Sequence, residues 1–196
     1  MTRPVRVRLD ASRLRLDPSE AAARLRIPKE SVSGGAVSEA LERLLPHVSP
    51  VFSYVTAPVC IDGDSIDAGF GPFVSSSLSA RLSGCPECAV AALTLGAGTD
   101  RYLSKLSLTS PSEHFVADAL ASALAEAAAD EAERIILAGR RTPGRFSPGY
   151  GDFPLSFQPA VLALTDAGRL SGITVSPSLL MSPMKSITAV IGFLPE

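Results

Sequence analysis

The hydrophobic residues of this chain follow strand and helix periods in turn, which predicts a mixed fold. Residues 5–9 (VRVRL) alternate apolar side chains with arginine, as expected for a strand that buries one face. Residues 51–61 and 89–95 are longer apolar runs, and they predict buried strands. Two further strands are predicted at residues 173–175 and 186–193. Strands are therefore expected along the whole chain.

Helical patterns separate these strands. Asp17-Pro18 places a side-chain acceptor at an N-cap and proline in the first turn, which predicts a helix over residues 17–26. The longest pattern covers residues 110–138 and is rich in alanine, whose small side chain allows close approach of neighbouring elements. The other predicted helices cover residues 38–45, after a Gly/Ser linker over 31–37, and residues 75–82, 100–106 and 155–164.

This order of elements predicts an α+β fold, a mostly antiparallel twisted sheet with helices packed on it. A chain of 196 residues is expected to form one domain with a sizeable core. Within a single domain over residues 1–196, we distinguish an N-terminal α/β portion, 1–109, from a portion with the long helix and a candidate ligand loop, 110–196.

Composition narrows the class of protein. Hydrophobic residues make up 46% of the chain and charged residues 19%, which indicates a folded globular protein. The net charge of −2 argues against a nucleic acid or an anionic membrane as the main partner. No apolar run has the length of a membrane span, and the N-terminus lacks a signal core. With only three cysteines, a disulfide framework is not expected, and the expected location is the cytoplasm.

The richest chemistry lies between the long helix and the last strands. Two turn clusters, at residues 147–149 (SPG) and 151–154 (GDFP), flank Tyr150, and Arg145 precedes them. Proline and glycine give such a segment a defined, non-repeating path, which leaves backbone polar groups free of helix or sheet pairing. A guanidinium, free backbone groups and an aromatic ring suit a small zwitterionic or purine-bearing ligand.

The same segment resembles a known family. Arg-x-Ser-Pro-Gly-Tyr at 145–150 is followed by Gly-Ile-Thr-Val-x-x-Ser at 172–178 and Met-x-Pro-x-x-Ser-Ile-Thr at 181–188. These blocks resemble the activation domain of cobalamin-dependent methionine synthase, whose signature is Arg-x-Ala-Pro-Gly-Tyr followed by a Pro-x-x-Ser-Val-Ser-Gly strand. The chain looks like the free-standing form of that domain.

The resemblance implies a binding site for S-adenosylmethionine. The residue that matches Arg145 binds the carboxylate region of the ligand in that family, while Ser147 and Gly149 would contribute backbone and Tyr150 would pack beside it. Residues 120–127 (LASALAEA) resemble a family helix whose glutamate contacts the ligand, which implies the same role for Glu126. No catalytic side chain and no metal ligand is implied.

The function implied is a reactivation module, or partner subunit, of a cobalamin-dependent methionine synthase. It would position S-adenosylmethionine for reductive methylation of cob(II)alamin carried by a methionine synthase, or another corrinoid methyltransferase, that lacks an activation domain. A flavodoxin-type reductant would supply the electron. The chain has no Asp-x-His-x-x-Gly corrinoid-binding signature, so it is expected to show no turnover alone.

Two other functions stay open. The chain could be an accessory protein that docks on a corrinoid methyltransferase without binding S-adenosylmethionine. An acidic ligand contact near the start of the family domain has no recognisable counterpart here, the family's last aromatic contact lies past Glu196, and Ala189 replaces the glycine of the Ser-Val-Ser-Gly strand. It could also be a small-molecule methyltransferase, which would turn over without a cobalamin protein.

Two short motifs favour structural roles. Residues 94–98 (TLGAG) superficially match the glycine loop of nucleotide-binding folds, but the long helix stands where that fold needs its next strand. Cys85 and Cys88 form a CxxC pair that could serve zinc binding or redox chemistry. Since there is no second CxxC, and both histidines lie far away in sequence, these cysteines are expected to be structural.

Overall fold

The computed structural model describes residues 1–32 and 34–195, and this part of the chain contains ten strands and seven α-helices. The strands are β1 (Val5–Arg8), β2 (Val51–Pro58), β3 (Cys60–Asp62), β4 (Ser65–Asp67), β5 (Phe73–Val74), β6 (Glu87–Thr94), β7 (Arg145–Phe146), β8 (Thr174–Val175), β9 (Met181–Ser182) and β10 (Ser186–Phe193). The helices are α1 (Pro18–Leu25), α2 (Gly35–Leu44), α3 (Ser76–Leu82), α4 (Ala97–Thr109), α5 (Pro111–Leu137), α6 (Gln158–Leu164) and α7 (Ala167–Leu170).

Five strands form the central sheet in the order β1-β2-β6-β10-β7, and every neighbouring pair is antiparallel. Strands β6 and β10 pair over their full lengths, from Ser186 opposite Thr94 to Phe193 opposite Glu87. Both are buried almost throughout, because helices cover the two faces of the sheet. The predicted α+β fold with a mostly antiparallel sheet is confirmed.

Helix α5 lies against β6 and β10 on one face, and α1, α2 and α4 pack on its other sides. Its alanines are what allow this arrangement, since a methyl side chain lets the backbone approach a neighbour closely. The helix is therefore buried on several sides, and the buried alanines are Ala117, Ala119, Ala121, Ala123, Ala125, Ala127, Ala128, Ala129 and Ala132. The close approach predicted from the alanine-rich sequence is present.

The opposite face carries α3, α6 and α7 together with a small sheet of β3, β4 and β5. A group of phenylalanines ties these elements together. Phe73 of β5 lies 4.1 Å, between ring centroids, from Phe157, and Phe153 lies 5.5 Å from Phe73 and 6.4 Å from Phe146. The segment between β7 and α6 is thereby packed into a second core.

The long predicted elements are present, with some corrected boundaries. The strand predicted at 51–61 is two strands, because the chain leaves the central sheet after Pro58 and β3 pairs with β4 instead. The linker predicted at 31–37 is wrong for residues 35–37, where α2 has already begun, and its Ser33 lies outside the described residues. None of the helices in the described part of the chain is long and apolar enough to cross a membrane.

The glycine-rich segment after β6 has a packing role. Gly96 has a φ of +89°, and a Cβ atom on Gly98 would stand 2.6 Å from the backbone oxygen of His47. The same oxygen accepts a hydrogen bond from the Thr99 hydroxyl at 3.2 Å. Helix α4 leads directly into α5, with no strand between them, so the segment does not belong to a βαβ unit.

We predict that Gly98→Ala destabilises the protein by about 1–3 kcal/mol, because the added methyl forces the backbone at His47 to move. Gly168→Ala is the matched control. It is likewise the second residue of its helix, and a Cβ atom added there would have the oxygen of Ile173 as its nearest neighbour, at 3.8 Å. The control should be neutral or stabilising by up to about 1 kcal/mol. Urea unfolding of both variants is the measurement, and equal stability of the two would contradict the packing argument.

Candidate functional site

A cleft of about 500 Å³ lies between α5 and the segment that follows β7. Helix α5 contributes three carboxylates to its wall, β7 contributes a guanidinium, and the segment after β7 contributes a serine and a tyrosine. These residues are Glu126, Asp130, Glu133, Arg145, Ser147 and Tyr150. The cleft is thus the place where the long helix and the loop predicted to bind a ligand meet.

Arg145 is positioned by the central sheet, since β7 pairs with β10 and places Arg145 opposite Ile191. Its guanidinium reaches across to α5, where Nη1 lies 2.6 Å from the Glu133 carboxylate and 2.7 Å from that of Asp130. Glu126 is held more loosely, with its Oε2 atom 3.5 Å from Nη2. Partial burial disfavours the charge of Arg145, but hydrogen bonding to Asp130 and Glu133 outweighs it and raises the pKa of Arg145 above its ordinary value.

The three carboxylates share one face of α5, because residues spaced by four and then three positions lie above one another on a helix. They differ in exposure: the side chain of Glu133 is 16% exposed, that of Glu126 35% and that of Asp130 72%. Further along the same face, Asp118 pairs with Lys185 at 2.7 Å. The cleft therefore holds one guanidinium among three carboxylates, and Lys185 is already paired.

The loop at residues 147–153 is closed by its own backbone. The N–H of Tyr150 donates to the oxygen of Ser147 at 3.1 Å, and the N–H of Gly149 donates to the oxygen of Phe153 at 2.8 Å. Gly149 has a φ of +95°, which favours glycine. Tyr150 is 59% exposed, and its ring stands edge-on to that of Phe146, with 6.1 Å between the centroids. An aromatic surface is therefore available at the rim of the cleft.

Asp152 fastens this loop to helix α3. Its carboxylate accepts hydrogen bonds from the Ser75 hydroxyl at 2.6 Å, from the N–H and hydroxyl of Ser76, both at 2.8 Å, and from the N–H of Ser77 at 3.0 Å. The hydroxyls of Ser75 and Ser76 and these backbone donors hold the pKa of Asp152 well below its usual range. The loop is thus attached to a helix on the second face of the sheet.

Of the five predicted site residues, Glu126, Arg145, Ser147 and Tyr150 line the cleft together. Gly149 is not among the lining residues, and its N–H is already bonded within the loop. Their role in ligand binding stays a prediction. Sequence reasoning did not identify Asp130 and Glu133 as site residues; their spacing from Glu126, which places them on the same helix face, was the available signal. It also missed the lining residues Gln158, Met181, Ser186 and Thr188.

Cys85 and Cys88 lie in the core rather than at the cleft, with relative exposures of 5% and 0%. Burial raises the pKa of both thiols, that of Cys88 to about 12, so neither is a thiolate at neutral pH. Within residues 1–32 and 34–195, no group of three or more His, Cys, Asp or Glu side chains is arranged to hold a metal ion. This placement agrees with a structural role for both cysteines.

Comparisons with known proteins agree with the fold. The chain is similar to a solved structure described as the MetH reactivation domain bound to AdoHcy, with a TM-score of 0.73 and 16% sequence identity over 98% of this chain and 79% of that chain. No protein-family model matches the chain, and no curated protein matches it in sequence. The chain therefore has the fold of the methionine synthase reactivation domain, as the resemblance of the loop and the final strands led us to expect.

The burial of the CxxC pair gives a direct test by thiol titration. We predict that Ellman's reagent modifies the exposed Cys60 quickly in the folded protein, while Cys85 and Cys88 react only on unfolding. A Cys60→Ser variant should then show no fast reaction. Fast modification of that variant under native conditions would contradict the structural role of the pair.

We predict that Asp152→Asn lowers the melting temperature at neutral pH, because an amide is a weaker acceptor for these four hydrogen bonds. Since the folded-state pKa of Asp152 is depressed, its contribution is fully present above the pKa of about 4 of the unfolded chain, and it is lost as the pH falls through the folded-state value. The difference in melting temperature from wild type should therefore be constant from pH 6 to pH 8, which is about 2 to 4 units above the pKa of the unfolded chain. It should shrink below a pH of about 4.

Glu42→Gln provides the control, since Glu42 is exposed on α2 and the substitution removes the same charge. Its melting temperature should follow that of wild type across the same pH range. A melting temperature of Asp152→Asn that matches wild type at neutral pH would show that the loop does not depend on this carboxylate.

Proposed function

We propose that this chain binds S-adenosylmethionine in the cleft and acts as a reactivation module, or partner subunit, of a cobalamin-dependent methionine synthase. The observation that carries the proposal is the meeting of Glu126, Arg145, Ser147 and Tyr150 in one cleft. They meet on a fold similar to that of a reactivation domain described as binding S-adenosylhomocysteine. Glu126 of the long helix is far from the loop motif in sequence, so its meeting with the loop residues in one cleft supports a shared ligand.

The size and charges of the cleft suit the zwitterionic amino-acid group of S-adenosylmethionine. A volume of about 500 Å³ falls within the range of small-molecule sites. Glu126 and Arg145 form its weakest ion pair, at 3.5 Å, so a zwitterion can divide them at the least cost. The carboxylate of the ligand would replace Glu126 at Nη2 of Arg145, and the ammonium group of the ligand would pair with the released Glu126. The exposed ring of Tyr150 would then stack against the adenine.

The contribution of this chain to the reaction would be to bind and orient the methyl donor. A sulfonium is an activated methyl donor, so no protein acid or base is needed near the transferred carbon. Cobalamin bound to the partner, reduced by one electron from a flavodoxin-type protein, would supply the nucleophile that accepts the methyl group. The chain alone should therefore show no turnover. The free thiols of all three cysteines support a cytoplasmic setting for this partnership.

One observation favours a second candidate function, an accessory protein that docks on a corrinoid methyltransferase without binding S-adenosylmethionine. Arg145 is already engaged by three carboxylates, with Glu133 at 2.6 Å and Asp130 at 2.7 Å. A guanidinium held in this way can fix α5 against β7 without contacting any ligand. On this alternative, the cleft would bind no methyl donor, and the partner protein would be the ligand to titrate next.

The test is calorimetric titration of the purified protein with S-adenosylmethionine, alongside Arg145→Ala. We predict micromolar binding that Arg145→Ala weakens tenfold or more, about 1.4 kcal/mol, because the carboxylate of the ligand loses its guanidinium partner. Thermal unfolding of each variant shows that the fold is kept.

Arg134→Ala is the matched control. Arg134 lies on α5 and pairs with Glu131 at 2.7 Å, but it does not line the cleft, so this variant should bind like wild type. Absence of binding heat, and of a thermal shift, at millimolar S-adenosylmethionine would overturn the donor-binding function and leave the accessory function. Equal loss in both variants would show that Arg145 acts only through the general charge of the protein.

A further inference from the structure

The charge of the cleft bears on which form of the ligand it prefers. Glu126, Asp130 and Glu133 stand around a single guanidinium, that of Arg145, which leaves two negative charges in excess. The nearby Lys185 does not offset them, because its ammonium lies 2.7 Å from Asp118 and 2.8 Å from the Ser122 hydroxyl. A ligand that enters the cleft therefore meets a negative potential as well as a single arginine.

The ligand pair of methyl transfer differs in charge. S-adenosylmethionine carries a carboxylate, an ammonium and a sulfonium, and so has one net positive charge. After the methyl group has left, S-adenosylhomocysteine is a thioether with no net charge. We infer that the cleft selects the cationic methyl donor over its neutral product, and that Asp130 and Glu126 are the residues that set this preference. The inference rests on the proposed function.

Glu133 and Asp130 have different parts in this preference. Glu133 is the most buried of the three carboxylates and forms the shortest contact with Arg145, so it balances the guanidinium and fixes its position. Asp130 also contacts Nη1, but its side chain is 72% exposed, and its charge is open to the cleft. Glu126 is held at 3.5 Å on the other edge of the guanidinium and is the first to be freed when a ligand carboxylate arrives.

The expected effect is moderate because the cleft is open to water. At the dielectric constant of water, a unit positive charge about 8 Å from two excess negative charges gains an electrostatic free energy that corresponds to about fivefold in affinity. S-adenosylmethionine should therefore bind about fivefold tighter than S-adenosylhomocysteine. Exposed charges are screened over about 10 Å at 0.1 M salt, so the preference should shrink as salt is added. Preference for the donor would also favour release of the product after each methylation.

The experiment measures dissociation constants by calorimetry for three ligands: S-adenosylmethionine, S-adenosylhomocysteine and sinefungin. Sinefungin replaces the methylated sulfur with an aminomethine group, so it keeps the positive charge without the sulfonium. We predict that both cationic ligands bind about fivefold tighter than S-adenosylhomocysteine at low salt, and that about 0.5 M salt brings the ratio close to one.

The matched variants are Asp130→Asn and Glu131→Gln, which remove the same charge from adjacent positions of α5. Glu131 pairs with Arg134 at 2.7 Å and does not line the cleft. Asp130→Asn should lower the ratio of the two affinities at least twofold, while Glu131→Gln should leave it unchanged. A preference that responds equally to both variants would overturn the assignment to Asp130.

The outcomes separate this inference from the function on which it rests. If S-adenosylhomocysteine binds as tightly as S-adenosylmethionine, the charge selection is wrong and the donor-binding function stands. If none of the three ligands binds, the donor-binding function fails and the inference fails with it. If sinefungin binds like S-adenosylhomocysteine, recognition depends on the sulfonium group itself, and selection by net charge is overturned.

Discussion

The close contact between α5 and the central sheet is the constraint on which the cleft depends. Alanine methyls separate the helix from β6 and β10, so the carboxylates on the neighbouring face of α5 come within reach of β7. Arg145 reaches these carboxylates because the pairing of β7 with β10 fixes its position in the sheet. If α5 had larger side chains at these positions, it would lie farther from the sheet, and its carboxylates would be too far from Arg145 to pair with it.

The opposite wall of the cleft is held by different means. The segment after β7 is packed by phenylalanines on the second face of the sheet and is tied to α3 through Asp152. The two walls therefore belong to two hydrophobic layers, and the sheet between them sets their separation. The ion pairs of Arg145 join α5 to β7 at the edge of the sheet, which explains how one side chain can serve both the fold and the candidate site.

The sequence was sufficient to predict the long helices and strands and to identify most of the loop residues that line the cleft. Strands of eight residues and an alanine-rich helix of 27 residues carry enough periodicity to be recognised. Strands β5, β7 and β9 have two residues each and exist only because a distant partner pairs with them, so no local pattern could predict them. The spacing of Asp130 and Glu133 from Glu126 indicated a shared helix face, but their pairing with Arg145 depends on β7, which only the tertiary fold brings beside α5.

The attachment of Asp152 to α3 also bears on how a ligand would be received. Its partners lie 75 to 77 residues earlier in the chain, so the rim of the cleft is fixed by the tertiary fold before any ligand arrives. A binding loop that is mobile when empty loses conformational entropy on association, and that loss weakens affinity. Here the rim is held in place by the fold, so a ligand that bound in the cleft would lose little affinity to the ordering of this loop and would not have to wait for the loop to close.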